Sequence, residues 1–452
     1  MANFFKASDK KPTKANSKSN IVLNIDKLDM NGCGVGQYQN KAIFIDGCLP
    51  QENVEVRLIE QKNKFSRGKL LKVNVASSHR VKVQCQHFNY CGGCDLQHLD
   101  YDEQLVFKQK KIMELLSRSG MSNDMVSQLP WQTPIVSQPW HYRRKARIGV
   151  QFDKKSQATI GFRQKATNQL VPIKSCTTLV KPLSDIFPIL QTLIAKLTIK
   201  KAIGHIEVIS TQVQNQAALL TVVVRQVKTL NEQDRALWQA CAEQHQWQIM
   251  FDFGAGNIEA LNTHQALTYT LANDIAITFA SDDFIQVNHD VNEAMVEQAL
   301  DWLALEADDQ LLDLFCGLGN FSLPIAKKIK KVVGVEGVQS MVDKAKANAE
   351  KNQLSNCQFH QADLNTAWLE HDWAKHNFTK VLLDPARAGA EQAVLQLAKL
   401  AIGTVLYVSC DPATLARDSQ LLLAQGYKIV KIALIDMFSQ TKHAETMILF
   451  SK

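Results

Sequence analysis

The chain has 452 residues, with 51 lysines and arginines against 44 aspartates and glutamates. This length exceeds what one hydrophobic core holds, so we expect two or three domains, and the net charge of +7 permits a polyanionic partner without requiring one. No stretch is apolar for long enough to cross a bilayer, and the lysine-rich residues 1–18 lack the apolar segment of a secretory signal. We therefore expect a cytoplasmic protein with no membrane partner.

The N-terminal part predicts a basic disordered tail over residues 1–14, followed by a small β-barrel over residues 15–78. Short runs with period-two alternation of apolar residues are typical of barrel strands. Glycine-rich turns at residues 31–36 and at Gly47 separate these runs. The alternating runs lie at residues 21–25, 42–45, 54–58 and 69–75.

Basic residues cluster at four places in the first third of the chain, at residues 6–18, 62–72, 108–111 and 143–147. The last cluster belongs to the run WHYRRKAR at 140–147, which mixes aromatic rings with cations and so suits stacking and phosphate contact with RNA. A solvated face of an amphipathic strand is the competing interpretation. The candidate RNA contacts are Arg143, Arg144, Lys145 and Arg147.

Residues 79–280 predict a central α+β domain whose topology the sequence does not define. Three cysteines, Cys85, Cys91 and Cys94, lie around a Gly-Gly turn, and Cys176 follows far downstream. Ten cysteines in an unsecreted protein do not predict a disulfide framework. The C-x5-C-x2-C spacing instead predicts a metal centre, with structural zinc as one candidate. The remaining non-catalytic cysteines are expected to be ordinary thiols: Cys33, Cys48, Cys241, Cys316 and Cys357.

Residues 281–452 alternate between strand and helix patterns, which predicts a doubly wound, mainly parallel sheet of seven strands. A first helix over residues 290–305 is expected to open with a capping box of Asp290 and Glu293. Helices are also predicted at residues 340–352 and 391–401. The predicted strands span residues 310–315, 331–336, 357–363, 380–384, 404–409, 427–437 and 446–451.

The first of these strands runs into a Gly317-x-Gly319 turn and a helix, the arrangement that lets a ligand approach the backbone closely. The third glycine of a dinucleotide site is absent, which favours a ligand without a pyrophosphate. Glu336 ends the next strand, where it can accept hydrogen bonds from ribose hydroxyls, and Asp363 ends the third, near an adenine amino group. S-adenosylmethionine is the favoured ligand, and an ordinary tight turn is the alternative.

Asp384 and Cys410 both lie at predicted carboxyl ends of strands, the edge at which open α/β sheets bind ligands. A thiolate that adds to carbon 6 of uracil makes carbon 5 nucleophilic, and a base must later remove the carbon-5 proton. Cys410 and Glu445 are the candidates for these roles, with Arg387 able to hold negative charge. The alternatives are a buried thiol and a surface glutamate.

Five segments resemble those of the bacterial RNA uracil-C5 methyltransferases, and the likeness runs from about residue 283 to 450. They are FIQVN at 284–288, DLFCGLGNF at 313–321, DPARAG at 384–389, Ser409-Cys410, and DMF at 436–438 with HAE at 443–445. This resemblance implies a class I S-adenosylmethionine-dependent fold, Cys410 as nucleophile and Glu445 as base. It also implies cofactor contacts at Gln286, Phe315, Asn320, Glu336, Asp363 and Asp384, beside the turn glycines Gly317 and Gly319.

The barrel resembles the TRAM domain, an OB-like RNA-binding module, and the rRNA-modifying branch of the family carries a four-iron cluster on a matching cysteine pattern. The resemblance therefore implies a [4Fe–4S] cluster on Cys85, Cys91, Cys94 and Cys176, and 23S rRNA, free or in an assembling large subunit, as the partner of a monomer. This sequence departs from the family pattern at Asp411, Ser439, Gln440 and Ala444. A carboxylate at Asp411 is expected to disfavour the Cys410 thiolate slightly.

Three alternatives remain in view. A tRNA uracil-C5 methyltransferase is the nearest, but the relatives of that branch lack the barrel and the cysteine cluster. A radical S-adenosylmethionine enzyme would use a C-x3-C-x2-C motif, whereas the first gap here is five residues. A non-catalytic iron–sulfur RNA-binding protein would leave Cys410, Glu445 and Gln286 without a role.

Overall fold

The computed structural model describes residues 20–211, 218–262, 264–271, 274–400 and 402–452. The chain divides into two compact units, one made of the residues up to 89 together with 94–104, the other of 90–93 together with 105–452. No helix within the described ranges is long and apolar enough to cross a membrane. The predicted tail at residues 1–14 and the first residues of the predicted barrel lie outside the described residues.

The first unit contains a closed five-stranded barrel in the order β1-β2-β3-β5-β4. Its strands alternate between buried and exposed side chains, and Ile43, Ile45, Val54 and Val56 are fully buried in its core. The barrel that period-two alternation predicted is confirmed. The strands are β1 (Asn20–Leu28), β2 (Gly34–Tyr38), β3 (Lys41–Ile45), β4 (Asn53–Gln61) and β5 (Phe65–Val75).

Strand β2 corrects the prediction of a glycine-rich turn over residues 31–36. A Cβ atom on Gly34 would lie 2.7 Å from the Cβ of Cys48, and one on Gly36 would lie 2.4 Å from the carbonyl oxygen of Asn24. These glycines therefore permit close approach of neighbouring backbone inside a strand rather than reversal of the chain. Of the three glycines in residues 31–36, Gly32 alone has the positive φ of a turn, at +79°.

The second unit begins with a helical segment and a seven-stranded sheet in the order β12-β11-β10-β9-β6-β7-β8. The helices are α1 (Tyr101–Arg118), α2 (Asn123–Ser127), α3 (Lys181–Ser184), α4 (Ile186–Lys196) and α5 (Glu232–His245). The strands are β6 (Lys145–Phe152), β7 (Ala158–Arg163), β8 (Leu170–Pro172), β9 (Ile203–Thr211), β10 (Leu219–Gln226), β11 (Gln248–Gly254) and β12 (Asn257–Ala260).

The C-terminal part contains a hairpin and a second seven-stranded sheet in the order β17-β16-β15-β18-β19-β21-β20. Strand β21 runs antiparallel to both of its neighbours, and the other neighbouring pairs are parallel. The predicted doubly wound sheet is confirmed. Its strands, after the hairpin β13 (Leu267–Leu271) and β14 (Ile275–Phe279), are β15 (Gln310–Leu314), β16 (Lys331–Glu336), β17 (Cys357–Gln361), β18 (Lys380–Leu383), β19 (Thr404–Ser409), β20 (Lys428–Ile435) and β21 (Glu445–Ser451). Its helices are α6 (His289–Trp302), α7 (Ser322–Ala326), α8 (Gln339–Lys351), α9 (Glu391–Leu397) and α10 (Pro412–Ala424).

Helix α6 begins one residue earlier than the capping-box prediction placed it. Asn288 has extended backbone angles, and its side chain accepts the N–H of Val291, so Asn288 rather than Asp290 is the N-cap. Asparagine and aspartate are almost equally good caps, and the backbone conformation decides between them.

Residues 105–135 pack against the C-terminal sheet, although the sequence assigned them to the central domain. Ile112 and Leu116 of α1 lie in the same hydrophobic core as Leu312 of β15. Farther along, Ile135 forms a parallel bridge with Ile435 of β20. The predicted boundary at residue 281 therefore does not separate these residues from the C-terminal core.

Candidate active site

Two strand ends bring Cys410 and Glu445 together. β19 pairs antiparallel with β21, and the register matches Ser409 with Thr446, so the next residue of one strand lies opposite the preceding residue of the other. Directly opposed residues of an antiparallel pair have Cα atoms about 4.5–5.5 Å apart. Asp384 follows β18, which pairs in parallel with the other side of β19. The sheet thus collects a thiol and two carboxyl groups at one edge.

The three groups titrate under each other's influence. Burial, followed by the charge of Asp384, raises the pKa of Glu445 to about 8, although Lys108 and Arg387 act in the opposite direction. Burial alone raises the pKa of Asp384 to about 7. Burial, then Glu445 and Asp384, raises the pKa of Cys410 to about 11, and Arg387 counters this effect. The site therefore has a carboxyl group that ionises near neutral pH beside a thiol.

Asp411 has a different role from the one the sequence suggested. Its carboxylate is the N-cap of α10 and accepts the N–H groups of Ala413 and Thr414. The carboxylates that raise the pKa of Cys410 are Glu445 and Asp384, which come from other strands. Proximity in sequence was a poor guide here because the helix N-terminus engages the side chain of Asp411.

The loop after β15 adopts strained backbone that glycine favours. Phe315, Gly317 and Gly319 all have positive φ angles, of 66°, 54° and 91°. The N–H of Gly317 donates to Oε2 of Glu336 at 3.2 Å, and the N–H of Val338 donates to Oε1 at 3.1 Å. Positive φ at an aromatic residue costs free energy and is typical of binding sites.

Asn320 lies in this loop and Gln286 lies in the segment before α6, and the hydrogen bonding of their side chains differs. The amide groups of Asn320 and Asn292 hydrogen-bond each other reciprocally, at 2.9 and 3.1 Å, and the hydroxyl of Tyr269 donates to Asn320 Oδ1. In contrast, Oε1 of Gln286 is buried and has no hydrogen-bond partner within the described part of the chain. A buried acceptor of this kind requires a donor from elsewhere. The residues therefore fit a nucleoside-like ligand with hydroxyl and ammonium donors.

Asp363 and Asp313 complete the cofactor side. Asp363 is exposed after β17 and accepts the backbone N–H of Asn365 at 2.9 Å. Asp313 was not assigned a role from sequence. It is fully buried and accepts a hydrogen bond from Ser322, and burial, with Asp384 and Glu336 adding to it, raises its pKa to about 7.

Lys108 is a second residue that the sequence analysis missed. It is fully buried in α1, forms an ion pair with Asp436 and donates to the carbonyl oxygen of Phe438 at 3.0 Å. Nearby, Lys111 donates to the carbonyl oxygen of Lys442 at 2.9 Å. These lysines hold the loop that leads into β21. Their run of charges suggested an RNA-binding surface, and only their spacing on a helix facing the core could have indicated otherwise.

The four candidate RNA contacts of the basic run divide by exposure. Arg147 is exposed and paired with Glu207 at 2.6 Å, and Arg143 is half-buried. Lys145 donates to the backbone carbonyls of Ser281 and Asp283. Arg144 is only 4% exposed, so the expectation that its guanidinium reaches a phosphate is corrected: the residue lies in the interior.

The cysteine motif has mixed exposure. Cys91 and Cys94 are buried, and Cys85 and Cys176 are partly exposed. The N–H of Gly93 points to Sγ of Cys91 at 3.4 Å, a contact suited to a thiolate. Within the described residues, however, no three or more histidine, cysteine, aspartate or glutamate side chains are grouped closely enough to hold a metal ion. The thiol chemistry of these side chains fits a soft metal centre.

The strand order, the Gly-x-Gly loop and Glu336 after the second strand together define an S-adenosylmethionine-dependent methyltransferase fold, preceded by a TRAM barrel. A family model described as tRNA (Uracil-5-)-methyltransferase matches residues 100–452, and one described as the TRAM domain matches residues 21–71. The chain belongs to this family of RNA uracil-C5 methyltransferases.

Similar proteins match over their full lengths. A protein of Colwellia psychrerythraea named 23S rRNA (uracil(1939)-C(5))-methyltransferase RlmD is 56% identical, covering 100% of this chain and 99% of its own. The RlmD of Shewanella piezotolerans is 44% identical with the same coverage. A crystal structure of Pyrococcus abyssi tRNA (uracil-54, C5)-methyltransferase with S-adenosyl-L-homocysteine superposes with a TM-score of 0.73 over 95% of this chain and 100% of that one, at 23% identity, which shows a shared fold.

The buried ion pair predicts that Lys108→Met lowers the free energy of unfolding by about 3–5 kcal/mol, because the carboxylate of Asp436 is left uncompensated in the interior. Denaturant unfolding measures this loss. Lys110→Met, an exposed position on the same helix, is the matched control and should change stability by less than about 0.5 kcal/mol. Equal stability of the two variants would contradict the assignment, and adding Asp436→Asn to Lys108→Met should restore much of the loss.

Proposed function

We propose that this protein methylates carbon 5 of a uridine in 23S rRNA, the nucleotide equivalent to position 1939 in the names of its relatives, with S-adenosylmethionine as methyl donor. The observation that carries the proposal is the pairing of β19 with β21, which sets Cys410 beside a buried Glu445 at the ligand-binding edge of the sheet. A full-length identity of 56% to a protein of that name supports the choice of RNA.

The residues divide the chemistry between them. Sγ of Cys410 bonds to carbon 6 of uracil, and the electron pair of the C5–C6 bond moves toward the carbonyl at carbon 4, so that carbon 5 becomes nucleophilic. Arg387, whose charge favours the Cys410 thiolate, can also stabilise the enolate. Once carbon 5 has gained the methyl group, the carboxylate of Glu445 removes its proton, and the bond between carbon 6 and sulfur breaks to return the thiolate.

The proposed donor site uses the loop after β15. Glu336, oriented by the N–H groups of Gly317 and Val338, would hold the ribose hydroxyls, and the exposed Asp363 would meet the adenine. The unsatisfied Oε1 of Gln286 would accept a donor from a bound ligand. S-adenosylmethionine supplies the electrophilic methyl group when bound there. Phe315, Gly319, Asn320 and Asp384 complete the proposed contact set.

The RNA is proposed to contact the barrel, the exposed Arg147 and the half-buried Arg143 through its phosphates. The thiol and the methyl donor approach the pyrimidine ring from opposite faces, so the target base must leave its stack. The partner is 23S rRNA, free or in an assembling large subunit, and the enzyme acts as a cytoplasmic monomer.

A tRNA substrate is the second candidate, and the description of the matching family supports it. The full-length RlmD relatives favour rRNA instead. The barrel does not separate the two candidates, because the Pyrococcus abyssi tRNA enzyme superposes over 95% of this chain. A non-catalytic RNA-binding role would leave unexplained why a carboxyl group with a pKa of about 8 is buried beside a thiol.

We also propose that Cys85, Cys91, Cys94 and Cys176 hold a [4Fe–4S] cluster with a structural role. The C-x5-C-x2-C spacing, the contact from Gly93 N–H to Sγ of Cys91 and the burial of Cys91 and Cys94 support a thiolate site. Methyl transfer by the route above needs no electron transfer, so no step of the reaction involves the cluster.

Trapping with 5-fluorouracil-substituted 23S rRNA fragments tests the covalent route. With fluorine at carbon 5 the base has no proton to remove, so the bond between sulfur and carbon 6 cannot break. Wild-type protein with S-adenosylmethionine should therefore form a protein–RNA adduct that is stable to denaturant. Cys410→Ala should form none, and Glu445→Gln should accumulate an adduct on ordinary RNA with turnover reduced by about 10²–10⁴-fold. Cys357→Ala, at an ordinary thiol, is the control. An adduct that survives Cys410→Ala would overturn the mechanism, and trapping on tRNA alone would select the second candidate.

The pKa values predict how the rate depends on pH. Both Cys410 and Glu445 act in their deprotonated forms, and burial raises the pKa of each. The value of kcat/KM should therefore rise with pH through about 8, where Glu445 ionises, and continue to rise toward about 11, where Cys410 ionises, without a falling limb. Glu445→Gln removes a negative charge that raises the pKa of Cys410. Its adduct formation with 5-fluorouracil RNA should therefore occur at lower pH than in the wild type. An unchanged or higher midpoint would contradict the coupling between the two residues.

Anaerobic purification followed by iron and acid-labile sulfide analysis tests the cluster, with about four of each expected per chain. Cys176→Ser should lose the visible absorbance of the cluster, whereas Cys241→Ser, at a buried ordinary thiol, should keep it. Stoichiometric zinc without sulfide would replace the cluster with a zinc site and leave the proposed methylation unaffected.

A further inference from the structure

We propose that Arg144 is a positioning residue of the cofactor site, which holds the backbone of Gln286 and, through Tyr269, the side chain of Asn320. The inference rests on the proposed function, because it takes S-adenosylmethionine as the ligand of that site. It assigns to Arg144 a role that its place in a basic run does not suggest.

Arg144 lies immediately before β6 and points into the interior of the second unit. Its guanidinium stacks over the ring of Tyr269 with 4.4 Å between the guanidinium carbon and the ring centroid. Arg144 is 4% exposed and Tyr269 is 2% exposed, so solvent screens this cation–π contact little. Desolvation strengthens the attraction between a guanidinium and an aromatic face.

Tyr269 passes the constraint to the cofactor loop. Its hydroxyl donates to Oδ1 of Asn320 at 3.1 Å, directly after the Gly317-x-Gly319 turn. The fully buried Asn292 holds the same side chain from α6 with two reciprocal amide hydrogen bonds. The orientation of the Asn320 amide is therefore fixed by two partners, of which Tyr269 is the one that Arg144 packs against.

Arg144 also holds the segment that carries Gln286. Its Nε donates to the carbonyl oxygen of Gln286 at 3.0 Å, and its backbone N–H donates to the carbonyl oxygen of Val287 at 2.9 Å. Its Nη1 lies 3.1 Å from Nδ1 of His289. Burial, together with the charge of Arg144, lowers the pKa of His289 to about 4, so this ring is neutral and can accept the hydrogen bond. Arg144 thus fixes the backbone at Gln286 and Val287, beside the unsatisfied Oε1 of Gln286.

Lysine cannot replace arginine in this role. The planar guanidinium stacks on an aromatic face while its N–H groups donate hydrogen bonds within the plane of the guanidinium. An ammonium group lacks both properties. The competing role, a phosphate contact, needs a solvent-accessible guanidinium, which the 4% exposure of Arg144 does not provide. A charge-conserving Arg144→Lys exchange therefore separates the two roles.

The test measures binding of S-adenosylhomocysteine by isothermal titration calorimetry on the full-length protein without RNA, so catalytic turnover does not enter. Arg144→Lys should raise the Kd about tenfold or more, and Tyr269→Phe, which removes only the hydroxyl to Asn320, about threefold to tenfold. The double variant should lose less than the product of the two effects, because the residues act in one network. Arg163→Lys, at an exposed arginine of the neighbouring strand β7, is the matched control and should leave the Kd unchanged.

Filter binding of a 23S rRNA fragment supplies the second readout. Arg144→Lys should change RNA affinity less than about twofold, since the charge stays buried. Unchanged S-adenosylhomocysteine binding in Arg144→Lys would overturn the inference. If RNA binding were weaker in the same variant, the result would support a phosphate contact by Arg144 instead. If Arg144→Lys does not fold, Tyr269→Phe decides by the same criterion. A wild-type protein that binds no S-adenosylhomocysteine would instead refute the proposed function.

Discussion

The antiparallel pairing of β19 with β21 is the constraint on which the rest of the site depends. Its register opposes Ser409 to Thr446, and this sets Cys410 beside Glu445. In a β-ladder, a slip by one residue turns every side chain to the other face of the sheet, so the pairing tolerates no intermediate arrangement. The apolar run of β21, buried on both faces, fixes that register. Packing of the sheet interior therefore determines which two reactive groups meet.

The same burial makes the site costly to fold. Asp313 and Glu445 are buried and Asp384 is half-buried, and desolvation raises the pKa values of all three and disfavours their charged forms. Lys108 and Arg387 act in the opposite direction on Glu445, one from α1 and the other from the loop after β18. Strain in functional sites is commonly offset by the surrounding structure. Here the compensation comes from segments far apart in sequence.

How far the sequence predicted the structure depended on whether local pattern or tertiary environment decided each point. The strands at 331–336 and 404–409 were predicted residue for residue, since apolar runs and the breaks that follow them are local. The strand ends then indicated where Asp384 and Cys410 would lie. The direction of a charged side chain is not a local property, so Lys108 and Arg144 were assigned to an RNA-binding surface although both are buried. The turn predicted around Gly36 failed similarly, because its neighbour Asn24 comes from another strand.

The anchoring of α1 on the loop before β21 bears on how such enzymes diversify. Lys108 neutralises Asp436 and Lys111 binds the carbonyl of Lys442, although the partners are 328 and 331 residues apart in the sequence. A gene fusion that joined residues 281–452 to a different RNA-binding module would inherit an unbalanced acid and an uncovered apolar face. The folding unit of the C-terminal sheet therefore includes residues 105–135, which precede the central sheet in the sequence. Recombination between family members is expected to respect that wider limit.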